Sequence, residues 1–206
     1  VHGVEHRRAW AIGALVLALL TGAPWARAAN GPIGDVLATQ TLHARFDSVT
    51  RQTVATGMAA PGLCFSFVLP DEWRTTAQGL DAVASEGELA VSLRSAQELR
   101  DLPHPDLASR DAAVLQRDYE ELLGRPAQSV SLSAGTGAAR WSATWTDANL
   151  PTASRSMTVE ALIVPLSSEW VLELSLSGLH TRQAYDALAQ QLLSRLRVQG
   201  KASCQP

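Results

Sequence analysis

The chain has 206 residues, 46% of them apolar and 18% charged, with 20 acidic against 17 basic side chains and a net charge of −3. That composition excludes a disordered or collagen-like protein and admits one hydrophobic core of ordinary domain size. The basic footprint of a nucleic-acid-binding protein is missing, so no nucleic acid is expected as partner.

His6, Arg7 and Arg8 make a positive start, residues 9–20 an apolar run, and Ala26-Arg27-Ala28 a small-x-small cleavage pattern. Together they predict a cleavable signal peptide over residues 1–28, cut after Ala28. The run is short for a bilayer span, ending at Thr21, Gly22 and Pro24; the alternative is an uncleaved N-terminal anchor. Arg7-Arg8 is half of a twin-arginine signal, which favours the general secretory route. No cysteine lies near the cut, so a lipid anchor is not expected, and the processed protein is expected to be periplasmic or secreted without a stable membrane anchor. In that oxidising setting Cys64 and Cys204 are expected to form a disulfide; the alternative is two unpaired thiols, since the sequence does not show that their Cα atoms approach within bonding range.

Residues 29–61 read as a loosely structured lead-in, with a helix over residues 35–51 where Val36, Leu37, Leu42 and Phe46 recur loosely. From Pro61-Gly62 a domain over residues 62–199 begins, followed by a tail over 200–206. Leu63, Phe65, Phe67 and Leu69 alternate with Cys64, Ser66 and Val68, a strand period that Pro70-Asp71 stops. Leu89, Val91 and Leu93 make a second strand, and Pro103 and Pro105 mark the loop after it.

Asp106 or Ser109 caps a helix running to Leu123, with Ala112, Leu115, Tyr119 and Leu122 on one stripe and Gly124 as its stop. Four strands follow, marked by Val130 and Leu132, by Trp141, Ala143 and Trp145, by Val159, Ala161 and Ile163, and by Trp170, Leu172, Leu174 and Leu176. Turns at residues 135–137 and 165–168 suit antiparallel hairpins, and residues 148–155 make a longer connection. After Gly178 and a Thr181 cap, Tyr185, Leu188, Ala189, Leu192, Leu193 and Leu196 repeat at helix spacing, so the last helix must cover a sheet.

This order predicts an α+β fold, an antiparallel sheet of about six strands covered by amphipathic helices. The opening Phe65-Ser66-Phe67-Val68-Leu69-Pro70-Asp71-Glu72-Trp73, the hairpin over residues 157–177 and the closing helix ending in Leu196-Arg197-Val198 resemble the PsbP-like superfold, over residues 63–198. That group includes the photosystem II accessory protein, DcrB-like envelope proteins and chaperones of type VI secretion effectors. The resemblance implies a layered sandwich serving binding and assembly, and it carries over no functional residue. Many DcrB-like members are lipid-anchored, through a cysteine that this chain lacks.

Chemistry-bearing patterns are sparse. Gly-x-Ser-x-Gly is absent, and Ser133-Ala134-Gly135-Thr136-Gly137 leads into a strand rather than a helix, so its glycines read as a hairpin turn. His43, His104 and His180 form no i, i+4 pair and lie near no cysteine, so no metal site or cofactor is expected. Asp118, Glu120 and Glu121 sit together on one helix, where carboxylates diverge; they read as a solvated face rather than a glycosidase pair. Trp141, Trp145 and Trp170 share strand faces with Ala143, Leu172 and Leu174, which favours core packing over a ligand platform. Trp73, just past a strand end, is the aromatic expected at the rim of a ligand pocket.

The expectation is an exported binding or accessory protein, not an enzyme, with an envelope protein partner or an apolar ligand against one sheet face. The alternatives are an envelope hydrolase with a dispersed site using His104, Asp106 or His180, and a purely structural envelope protein.

Overall fold

The computed structural model describes residues 42–135, 137–147, 156–179 and 181–200. Strands β1 (His43–Asp47), β2 (Gln52–Ala60), β3 (Leu63–Pro70) and β11 (Arg197–Gly200) form a four-stranded sheet in the order β1-β2-β3-β11. Strands β4 (Trp73–Thr75), β5 (Gly79–Ala82), β6 (Glu88–Ser95), β7 (Ser129–Gly135), β8 (Ala138–Thr146), β9 (Ser156–Pro165) and β10 (Trp170–Ser177) form a seven-stranded sheet in the order β4-β5-β6-β10-β9-β8-β7. Every strand pairing is antiparallel. With helices α1 (Leu107–Leu123) and α2 (Arg182–Arg195), the protein is α+β.

All six expected strands are present, and five more accompany them: β1, β2, β4, β5 and β11. The lead-in over residues 29–61 is corrected from residue 42 onward. There the chain forms the β1–β2 hairpin, and no helix runs through residues 42–51. The inward residues of β2 are Thr53, Ala55, Gly57 and Ala59, too small to give a hydrophobic rhythm, yet buried because the large rings of β3 fill the space above them. Gly57 pairs with Phe65, and a Cβ at Gly57 would stand 2.3 Å from the Phe65 ring. At the other end Gly200 pairs with Leu63, so the four-stranded sheet extends into the expected tail. The signal segment, residues 148–155, His180 and Cys204 lie outside the described residues.

Two cores lie on opposite faces of the seven-stranded sheet. On one, Leu162, Leu172 and Leu174 pack with Phe65, Phe67 and Leu69 of the smaller sheet and with Leu188, Ala189 and Leu192 of α2. On the other, Trp141, Trp145, Ile163 and Val171 pack with Ala112, Leu115 and Tyr119 of α1. Residues 159–164 of β9 and 171–176 of β10 are consequently buried without a break.

Both helices start and stop where the sequence signals them. Asp106 accepts the Ser109 N–H at 2.9 Å, Gly124 takes the left-handed conformation that ends α1, and Thr181 accepts the Ala184 N–H at 3.1 Å. The stripe of α1 differs from expectation at two positions: Leu122 is half exposed, and Asp111 is fully buried. On α2, Leu193 is likewise largely exposed while Leu188, Ala189 and Leu192 make the buried contact. Among the described residues no helix is long and apolar enough to cross a membrane.

Candidate functional site

Trp73 opens β4 directly after the chain turns at Asp71, whose φ of 59° is left-handed. Its ring N–H donates to the Pro70 carbonyl at 2.8 Å, and its backbone N–H donates to the Thr53 hydroxyl at 3.0 Å. That hydroxyl in turn donates to the Asp71 carbonyl at 2.8 Å. One fully buried threonine of β2 thus holds both ends of the turn that aims the indole. The Asp71 N–H also donates to the Arg51 carbonyl at 2.9 Å, which clasps the β1–β2 turn to the β3–β4 turn.

Beside this turn a cavity of about 370 Å³ opens against α2, lined by Pro70, Trp73, Leu179, Ala184, Ala187 and Leu188 among others. Its size falls in the lower range of small-molecule sites. Asp71 and Glu72 also line it, but their carboxylates already face Arg51 at 3.2 Å and Arg74 at 3.1 Å. The remaining lining is mostly apolar, with Ser85 and Gln191 as its polar members, and suits an uncharged, largely apolar ligand. Trp73, expected at a rim, forms a buried wall of this cavity, 6% exposed.

A second constellation lies under α1. Arg94 of β6 places Nε 3.0 Å from Asp111 Oδ1, and its terminal nitrogen 3.4 Å from Asp118 Oδ2 and 3.7 Å from Glu173 Oε2. Three carboxylates therefore meet the Arg94 guanidinium, and Asp118 also pairs with the exposed Arg117 at 3.4 Å. The Arg94–Asp111 contact has the distance of an ion pair without the angle of a hydrogen bond, and Asp111 Oδ2 has no hydrogen-bond partner. Glu173 accepts from the Ser175 hydroxyl at 2.9 Å. Burial first, and then the Glu173 charge, push the Asp111 carboxyl well above its ordinary value. Burial also raises Glu173, and Arg94 opposes that rise. The cluster ties helix to sheet inside the protein.

Helix α2 has its own ionic anchor. Arg140 of β8 reaches Glu160 of β9 and Asp186 of α2, each at 2.6 Å, and Arg182 joins both carboxylates. The Arg140 guanidinium holds the Asp186 carboxyl below its ordinary value.

Among the described residues, the other candidates from the sequence do not converge on a reaction centre. His43 and His104 are exposed on separate elements, and Asp106 is occupied as the α1 cap. Gly135 and Gly137 flank the β7–β8 turn, with Gly137 at a φ of 80°. Trp141 and Trp145 are core residues packed with Tyr119, ring centroids 6.1 and 5.6 Å away. Trp170 belongs to the opposite face, against the other core, so the three indoles build no single platform. The acidic cluster is only partly a solvated face: Glu121 is exposed, Asp118 meets Arg94, and Glu120 accepts from Gln116 and from the Ala127 N–H. Among the described residues no group of three or more His, Cys, Asp or Glu side chains is arranged to hold a metal ion.

Thr53→Val keeps the shape of the side chain but strands the Asp71 carbonyl and the Trp73 N–H. It is expected to cost about 1–3 kcal/mol in urea unfolding, and an unchanged midpoint would remove Thr53 as the clasp. For Asp111 the sign follows from its raised value: the folded state holds the proton more tightly than the unfolded chain, whose carboxyl titrates near 3.8. The stability from this group is full below that pH and is lost as pH rises through the raised folded value. Asp111→Asn is therefore expected to flatten the decline of stability as pH rises above 3.8 relative to the native chain, read from denaturant midpoints across a pH series; parallel profiles would contradict it. No family model, no curated protein and no solved structure matches the chain.

Proposed function

We propose that the chain is an exported periplasmic or secreted binding or accessory protein without catalytic activity, and that it holds a small apolar ligand in the cavity beside Trp73. The carrying observation is the combination of a mostly apolar cavity with a buried Trp73 whose ring N–H and backbone N–H are both held by hydrogen bonds. Preformed walls reduce the ordering cost of binding. The PsbP-like layering belongs to the same proposal, supported by one sheet with α1 on one face and α2 plus a second sheet on the other. A dispersed hydrolase gains no support, since Asp106 caps a helix and His104 lies in an exposed loop.

The expected Cys64–Cys204 bridge also remains part of this reading. Gly200 sits across from Leu63, which puts the chain four residues before Cys204 next to the strand that carries Cys64. Such a bridge would close a long loop, worth on the order of 3–5 kcal/mol if unstrained.

Periplasmic expression of the full chain followed by native mass spectrometry tests the proposal. The native protein is expected to carry an added apolar mass that organic extraction releases. Ala187→Phe, which fills the cavity from α2, is expected to arrive empty, with the unfolding midpoint of the native protein after its ligand has been extracted. The same sample is expected to begin at Ala29 and to yield a Cys64–Cys204 linked peptide. An empty native protein, or the same ligand retained by Ala187→Phe, would sink the cavity reading and leave a structural role.

A further inference from the structure

We propose that β7 is a self-association edge, at which two copies of this chain pair their β7 strands antiparallel and join their seven-stranded sheets into one. A free sheet edge carries unpaired N–H and C=O groups that template another strand, and proteins ordinarily blunt such edges with charge, proline or brevity. Among the described residues, three of the four sheet edges are blunted in that way. Strand β1 carries His43, Arg45 and Asp47, β11 has four residues led by Arg197, and β4 has three with Arg74 at its centre.

The fourth edge is different. Strand β7 runs seven residues, Ser-Val-Ser-Leu-Ser-Ala-Gly, with no charge and no proline, and all seven are exposed. Among the described residues its only strand neighbour is β8. Val130 and Leu132 lie opposite Ala143 and Trp141, on the α1 side of the sheet, and remain 42% and 43% exposed. A strand added beyond β7 would cover them.

The pattern of β7 selects a second copy as the occupant. Serine and apolar residues alternate so that the strand reads alike in both directions. An antiparallel pair centred on Leu132 sets Leu132 against Leu132, Val130 against Ala134 and Ser131 against Ser133. Centring the pair on Ser131 sets Val130 against Leu132 and Ser129 against Ser133. Either register matches apolar with apolar and hydroxyl with hydroxyl, as cross-strand pairing requires. The symmetry is isologous and closes at two chains. Because the strand is uncharged, no like-charge repulsion arises between the copies.

Sedimentation equilibrium on the full chain and three variants tests this. The native chain and Ser131→Thr, which stays neutral, are expected to be dimers. Ser131→Lys and Ser131→Glu place like charges next to each other across the two-fold, and each is expected to self-associate at least about tenfold more weakly. Mixing the Lys and Glu variants is expected to restore a dimer of the two, an outcome peculiar to β7 meeting β7. The Ser131 side chain is exposed, so exchanging it opens no core, and far-UV circular dichroism on each variant checks its folding. A monomeric native chain, a dimer indifferent to Ser131→Lys, or a failure of the mixed variants to associate would each overturn the proposal, the first pointing to another protein's strand at this edge.

Discussion

Strand β10 has no solvent face. Leu172, Leu174 and Leu176 pack toward the smaller sheet and α2, while Val171, Glu173 and Ser175 lie on the side covered by α1. Every polar group on that second side has to find its partner inside the protein, because an unpaired buried charge costs far more than a lost surface contact. Arg94, opposite Val171 on the neighbouring strand, supplies a buried guanidinium, and α1 brings Asp111 and Asp118 to it. The placement of α1 over the sheet is therefore electrostatic as well as hydrophobic. Its stripe of Ala112, Leu115 and Tyr119 supplies contact, and the ion pairs restrict it to one position along the strands.

The excess of carboxylates over guanidinium in that cluster has a consequence for protonation. Asp111 and Glu173 face one buried guanidinium at low dielectric and cannot both ionise cheaply, and burial raises the two together. The opposite arrangement holds at α2, where Arg140 and Arg182 match Glu160 and Asp186 one for one. Each helix is pinned by charge, but only the contact under α1 is strained by acid excess. The raised carboxyls thereby lie on the side of the sheet away from the cavity.

How much of this the residues disclose depends on side-chain size and on what lies on each face. Strand β3 is legible because Phe65, Phe67 and Leu69 alternate with smaller residues, and α1 and α2 are legible through their caps and stripes. Strand β2 is not, since Ala55, Gly57 and Ala59 are buried by their neighbours' bulk rather than by their own. Asp111 left a trace: it falls three residues after Ala108 and one before Ala112, inside the apolar stripe, where a polar residue signals a buried partner. Glu173 left none. Leu-Glu-Leu-Ser reads as a strand with one wet face, and only the helix laid over that face makes it dry. Trp73 could be singled out as an aromatic past a strand end; Thr53, which holds it, sat in a segment with no visible rhythm.

The cavity follows from the same attention to helix faces. Leu188, Ala189 and Leu192 form the buried stripe of α2, while Ala184, Ala187, Leu188 and Gln191 form the adjacent stripe that lines the cavity. The two stripes share Leu188, so the helix turns one row into the core and the neighbouring row toward Trp73. In that second row the positions one turn apart are alanines where larger apolar residues would close the gap against the indole. Arg182 and Asp186, bound to Glu160 and Arg140, fix the helix start, and β11 returns its end to β3. With both ends held, α2 has little freedom to collapse onto Trp73. The space beside the indole is thus built by two small side chains on a helix that cannot move in to fill it.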